Sequence, residues 1–464
     1  MNPSASSTAT PVDSTPGSAP DHAPTASVPD SPTRWYILML MVFAYAIMHM
    51  DRQIVTLLLE PIKLEFGLSD SQLGFLAGLS FAIAFSAAGI PLGLMVDRVN
   101  RVRLLASLTA IWSGLTALCG FASSYLVLVI ARIGIGAAES GGSPTSSSLI
   151  ADYFRRKERP LAFGIYHTGT QIGSIIGFAA AAIVAQAYGW RAAFFLAGVP
   201  GLFLTVLLLT TMREPRRGAT DDEQSDTTRL TDMPVIAAKA PTFGETLRFI
   251  ASQRAQVHTF IGFVLAMTVT SGLSAWLAPM MMRGYGVSLK TAGLTMAFGI
   301  SSCGVLGALT GGALATRLGV RNPTNLARLI AAAMLLTVPA AITGILSQTF
   351  AVTVGGFAVQ TFANSMITAT SFVLALELTQ TRMRGTTMAL LLVLSNVFGY
   401  GLGPQIVGWL SDAWHLAYGL RALPYAMVAL ALGNLWAMTH MLLASRSMKT
   451  SLARARAASG LPSD

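Results

Sequence analysis

Four ionisable residues stand inside stretches that otherwise look built for lipid. Asp51 and Arg52 are adjacent in YAIMHMDRQIV, residues 45–55, and Arg132 and Glu139 lie in ARIGIGAAESGGSPTSSSLIADYF, residues 131–154. The spacing of seven puts Arg132 and Glu139 on one helical face, two turns apart. Counted at the helical rise from the ends near Glu60 and Ser124, Asp51 lies about 13 Å deep, Arg132 about 12 Å and Glu139 about 22 Å. Asp51 and Arg132 therefore share a level, as the halves of a cross-helix pair. An ionised residue at the centre of a bilayer costs about 3 kcal/mol even on the lower scales, so four of them need partners or water. Their chemistry is that of a proton site. A carboxyl out of water favours its neutral form and an approaching guanidinium favours the carboxylate, so movement of Arg132 between Asp51 and Glu139 changes which one holds the proton. The alternative is a salt-bridge cluster that only pins two helices; buried pairs stabilise less than apolar packing, which argues against it. Arg52 is turned 100° from Asp51 on an ideal helix, so its direction stays open. His49 is off the Asp51 face and reads either as a substrate contact or as a hydrogen-bonded packing residue.

The elements that must position these residues follow from composition. Apolar residues are 53% of the 464 and charged ones 11%, far from the roughly 25% charged content of soluble domains. Twelve apolar stretches, from 34–59 to 421–445, are long enough to cross a bilayer as helices. The expected architecture is all-α and integral to the membrane, with a disordered tail over 1–33 and a six-span domain over 34–212. A hydrophilic linker over 213–254, a second six-span domain over 255–445 and a basic tail over 446–464 complete it. The N-terminal segment lacks the basic and apolar regions of a cleaved signal peptide. Most of the 31 Lys and Arg residues fall on one side of the spans, which predicts that both termini are cytoplasmic; the membrane expected is a bacterial inner membrane. The net charge of +10 then reflects topology and contact with anionic lipid, and no nucleic-acid partner is needed. The lone Cys119 and Cys303 read as packing volume. No phosphate loop, zinc-spaced pair or nucleophile elbow is present in the sequence, so neither an enzyme nor a cofactor is expected.

The halves repeat. FGLSDSQLG at 66–74 aligns with YGVSLKTAG at 285–293, and at the same offset GLMVDR at 93–98 falls on GALATR at 312–317. Parallel six-span repeats are a transporter architecture, with the substrate near the midplane between them. By the repeat, Asp51 projects onto Thr270 and Glu139 onto about Asn364, so charge is concentrated in the first half. Thr270, Asn364, Thr370 and Asn396 are the substrate-contact candidates of the second half, beside Arg52 and His49 in the first. Gly169, Gly173 and Gly177 at four-residue spacing, and Gly399, Gly401 and Gly403, predict close helix contacts.

The stretch GLMVDRVNRVR, residues 93–103, resembles the cytoplasmic loop motif of the major facilitator superfamily. Gly93, Asp97, Arg98, Arg101 and Arg103 match, while Asn100 replaces the usual glycine. Asp97 is expected to accept from Arg101 or from the N-terminal turn of a neighbouring helix. The resemblance implies that this neighbour is the eleventh span and that Gly93, Asp97, Arg98 and Arg101 form a latch holding the outward-open state. MDRQIVTLLLEPIKLEFGLSDSQLG and the 131–154 stretch are similar to the Spinster branch of the superfamily. That resemblance implies a proton-driven transporter with Asp51, Arg132 and Glu139 in coupling, and eukaryotic relatives handle sphingosine phosphate or lysophospholipids; a monomer is expected. An amphiphilic lipid-like substrate is the first expectation, with Met280–Met282 and the tenth span as apolar surface for it. A small organic anion carried with protons, bound by Arg52 and Arg132, is the rival. A receptor or scaffold that moves no solute is the third reading.

Overall fold

The computed structural model describes residues 31–218, 220, 241–319 and 323–458. Residues 1–30 of the expected disordered tail, half of the linker and the last residues of the basic tail lie outside the described residues, and Ser31–Thr33 of that tail begin the first helix instead. Twelve spans are found among the described residues. The first six are Ser31–Phe66, Asp70–Val96, Arg101–Cys119, Tyr125–Tyr153, Arg159–Tyr188 and Trp190–Thr211. The next four are Arg254–Tyr285, Leu289–Leu318, Pro323–Leu346 and Phe350–Glu377. The last apolar tract holds two helices, 384–418 and Ala422–Ala458, parted by a short turn at Gly419–Arg421. The final helix thus runs well into the stretch expected to be a tail. A ten-residue helix, Phe243–Ser252, also stands inside the stretch read as linker.

Matching local chemistry underlies the repeat. Gly67 and Gly286 both take φ of +64°, a left-handed conformation open to glycine. Two residues later Ser69 and Ser288 cap the second and eighth spans, accepting from the backbone N–H of Gln72 and Thr291. Both spans then pass through a wide π-helical turn, Phe75–Leu79 and Thr295–Ser301. A third such turn, Ser395–Gly401, lies in the eleventh span and packs against the one at Phe75–Leu79. There a side chain on Gly78 would meet the carbonyl of Gly401 at 2.4 Å. Gly173 likewise leaves room for the carbonyl of Ala46, within the contact of the fifth span on the first. Asn100, the departure from the family motif, acts locally and caps the third span by accepting from the N–H of Arg103 at 2.8 Å.

With an even number of spans, the described chain ends lie on one side, here the termini side, opposite a far side. The apolar core shows how the halves meet. Its largest cluster joins residues of both halves, from Ile54 and Leu73 to Trp276 and Leu430. Two smaller clusters each belong to one half alone: Ile37 to Met212, and Ile250 to Met448. Those two lie toward the termini side. The halves therefore share a core on the far side and have separate cores on the other. Met280 and Met281, expected to line an apolar surface for substrate, are 3% and 0% exposed within the shared core, so they serve packing.

Candidate functional site

The first span carries Asp51 and Arg52 into the interior at mid-length, and the fourth span brings Arg132 and Glu139 against them. The fourth span is interrupted directly after Glu139, where helix Tyr125–Glu139 ends and Gly142–Tyr153 begins. Glu139 therefore stands at a helix C-terminus, whose dipole opposes a carboxylate and calls for a cation. Arg52 supplies it: Nε donates to Glu139 Oε2 at 2.9 Å, with Glu139 fully buried and the Arg52 side chain 20% exposed. The open question of Arg52's direction is answered by that bond. Its guanidinium also lies 4.7 Å from the ring centre of Phe81 and 5.1 Å from that of Phe85.

Asp51 is 2% exposed, and its hydrogen-bond partner is neutral. Thr116 Oγ1 of the third span donates to Oδ2 at 3.0 Å, while Oδ1 has no partner. Arg132 is 3% exposed, and its Nε and Nη1 likewise lack partners. Its guanidinium lies 4.8 Å from the centre of the same Phe81 ring that Arg52 covers. The Asp51–Arg132 ion pair expected from depth counting does not form in this structure. Depth along a span says nothing of lateral direction, and here Asp51 is met by Thr116 of the third span and Arg132 by the Phe81 ring. Close approach of the second span is possible because Gly136, between Arg132 and Glu139, has no side chain: a Cβ there would meet the Phe81 carbonyl at 2.5 Å. Sequence reasoning missed Thr116, Phe81 and Phe85, which carry no charge and look like ordinary span residues.

The other contact candidates are not gathered around this cluster by hydrogen bonds. His49 Nδ1 meets the Tyr45 carbonyl one turn back at 3.0 Å, and its ring stands edge-on to Tyr45. Thr270 and Thr370 donate to Ala266 and Met366 of their own helices, at 2.8 and 2.7 Å. Asn396 donates to Leu392 at 2.8 Å. Asn364 differs. It is 4% exposed and neither amide atom has a partner, as is also true of Gln360 Nε2 one turn away.

The loop motif is open. Nothing lies within 4 Å of a Cβ placed on Gly93, and the Asp97 side chain is 80% exposed with Arg217 at 3.8 Å. Arg98 makes no ion pair among the described residues. Arg101 is buried but does not reach Asp97: it pairs with Asp152 and, at 2.7 Å, with Glu214, and also takes Ser148 Oγ at 3.0 Å. The expected Asp97–Arg101 bond is therefore absent, because the start of the linker supplies a carboxylate nearer to Arg101. The far side holds a cluster that sequence reasoning did not single out. Arg283 of the seventh span makes two bonds to Asp70, at 2.8 and 2.9 Å, and one to Glu60 at 2.7 Å. Asp412 accepts the N–H of Asp70 and Ser71 at 2.9 and 2.7 Å, capping the second span from the other half, and Ser411 donates to Asp70 at 2.6 Å. The signal was present as five charges at span ends, Glu60, Lys63, Asp70, Arg283 and Asp412, of which positive-inside counting reads the cations only as orientation and leaves the carboxylates out.

Twelve spans in two repeated halves, meeting at one side and carrying ionisable side chains at mid-depth, match a family model described as Major Facilitator Superfamily over residues 41–404. The chain belongs to that superfamily. Its members are transporters rather than enzymes. Protein spinster homolog 1 of Xenopus tropicalis is 27% identical over 424 residues, 85% of this chain and 77% of that protein. A probable sulfoacetate transporter of Cupriavidus necator is 30% identical over 294 residues, 62% of this chain and 66% of that protein. Among solved structures, a bacterial homolog of the human lysosomal transporter Spinster, inward-facing and unoccupied, matches with a TM-score of 0.83 at 26% identity, covering 91% of this chain and 99% of that one. This superfamily member thus resembles the Spinster branch along most of its length.

Proposed function

We propose that this chain is a proton-coupled secondary transporter working by alternating access between its domains at 34–212 and 255–445. In this reading the termini face the cytoplasm of a bacterium, the protein acts as a monomer, and the state described above is inward-open. The observation that carries the reading is the unequal partnering of the two buried carboxyls. Glu139 has a cation and Asp51 has only a hydroxyl, so Asp51 is the group that holds a proton in this state while Glu139 is the carboxylate. When the halves rock, release of the Asp51 proton draws Arg132 toward it. Arg52 and Arg132 remain beside Phe81 and Phe85, a place where the anionic head of an amphiphile meets guanidinium and its apolar part meets rings. His49, Thr270, Asn364, Thr370 and Asn396 are the further contacts proposed for that substrate. The Asp70–Arg283 cluster closes the far side in this state, and the motif of Gly93, Asp97, Arg98 and Arg101 engages the eleventh span once the termini side closes.

The test is flux in proteoliposomes under an imposed pH gradient. A fluorescent lysophospholipid is expected to move with the gradient, and Asp51→Asn to move it no faster with the gradient than without. Lysolipid flux that ignores the gradient in the native protein would sink the coupling. One observation favours a second reading: the unpartnered Nε and Nη1 of Arg132 suit a small sulfonate or carboxylate, the substrate class of the probable sulfoacetate transporter of Cupriavidus necator. Gradient-dependent uptake of sulfoacetate with no lysolipid movement selects that reading. A receptor or scaffold is left if neither solute nor protons move.

A further inference from the structure

The short helix Phe243–Ser252 has a face that the twelve spans do not cover. A capping box starts it, with Thr242 and Glu245 each accepting the other's backbone N–H. At Gln253 the backbone leaves the helix, and the seventh span begins at the next residue, Arg254, so the helix is tethered at the boundary of the bilayer. Gln253 is buried and donates to the Leu378 carbonyl at the end of the tenth span, which holds the junction in place. Thr246 and Ile250 turn inward, where the helix packs on the seventh span and on the start of the eleventh. Phe243, Leu247 and Ala251 follow at four-residue spacing on the adjoining arc and are exposed, Phe243 by 62% and Leu247 by 44%. Gly244, Glu245, Arg248 and Ser252 occupy the polar arc, and the half-buried Phe249 stands between it and the inward face. The wheel is therefore divided into a protein-facing arc, an apolar exposed arc beside it and a polar arc opposite. A helix lying along the membrane surface at the edge of a bundle has that order of faces.

The surrounding charge names the occupant. Arg248 lies beside the apolar arc, Arg254 starts the seventh span two residues beyond the helix, and Arg454 of the last span donates to the Ser252 carbonyl at 3.0 Å, which brings a third cation to the end of the helix. Arg446 and Lys449 lie on the same last turns. We propose that this helix docks in the headgroup layer of the leaflet on the termini side, with Phe243, Leu247 and Ala251 in the upper acyl region and the arginines on anionic headgroups. The site is independent of the buried charge cluster.

Spin labels in the full-length protein test it. In a Cys119→Ser, Cys303→Ser background, labels are placed by Phe243→Cys, Leu247→Cys and, as a water-side control, Ser252→Cys. Vesicles are either phosphatidylcholine alone or phosphatidylcholine and phosphatidylglycerol in equal parts. At 243 and 247, collisions with oxygen are expected to exceed those with a water-soluble nickel chelate severalfold, and at 252 the order is reversed. Phosphatidylglycerol is expected to deepen the 243 and 247 labels, and Arg248→Gln with Arg254→Gln to remove that response. Equal nickel access at all three positions places the helix in water and overturns the proposal. Exclusion of both reagents at 243 and 247 means that protein, either the linker or a second copy, covers the arc, which overturns it equally. Depth that is the same in both vesicle types removes the role of anionic headgroups.

Discussion

The two halves share one fold but not one interior. At mid-depth the first half holds Asp51, Arg52, Arg132 and Glu139, with both guanidinium groups on the Phe81 ring. The second half holds Thr270 and Asn364 at the positions that the repeat pairs with Asp51 and Glu139. Thr270 bonds to its own helix, and Asn364 is buried with no partner. The difference teaches that the fold requires no charge at these sites, since a half without them builds the same six spans. The cost of about 3 kcal/mol for each ionised group at that depth is borne by one half only, and under the proposed function that half handles the proton.

The sharpest way to break this contrast is to make the halves alike. Asp51→Thr, which copies the second half, is expected to abolish gradient-driven flux while the protein still folds; retained pH dependence would place the proton elsewhere. The converse, Thr270→Asp, is expected to add no coupling. It should lower stability by about 3 kcal/mol, read as a fall in the melting temperature in detergent, because the Lys and Arg residues of the second half stand at span ends and not at mid-depth. Arg52→Ala leaves Glu139 buried at a helix end without its cation. A loss of about 2 to 3 kcal/mol is expected, less than for a fully buried pair because Arg52 is partly exposed. Glu139→Gln in the same background should recover most of it, and a double variant as unstable as the single would count against the pair. The smallest effect is expected from Asn364→Leu, within about 1 kcal/mol of the native protein, since no hydrogen bond is lost and an amide of similar volume is replaced. A large loss of flux with unchanged stability would make Asn364 a substrate contact.

Legibility followed the range of each interaction. The caps at Ser69 and Ser288 and the turns at Gly67 and Gly286 are local, so the repeat stood in the sequence as matching nonamers. Asp51, Arg132 and Glu139 stood out because lipid excludes charge, and the helical rise gave their depths. The rest needed a third dimension. Thr116 is a neutral residue in a span of ordinary composition, and its bond to Asp51 joins positions far apart in the chain. Phe81 reads as packing until two guanidinium groups are seen on its ring.

What the sequence by itself determined is the membrane, the twelve spans in two halves, the superfamily and the three buried charges. Hydrophobic length, charge exclusion and capping act along the chain or along a single helix, and they leave their pattern in the order of residues. Only the tertiary structure decided the partners: Arg52 on Glu139, Thr116 on Asp51, Arg101 on Asp152 and Glu214, and Arg283 on Asp70 across the halves. A guanidinium on a long side chain reaches several carboxylates at nearly equal separation along the bilayer normal. The choice among them is made by the rotation of each helix and by the glycines that let neighbours come close.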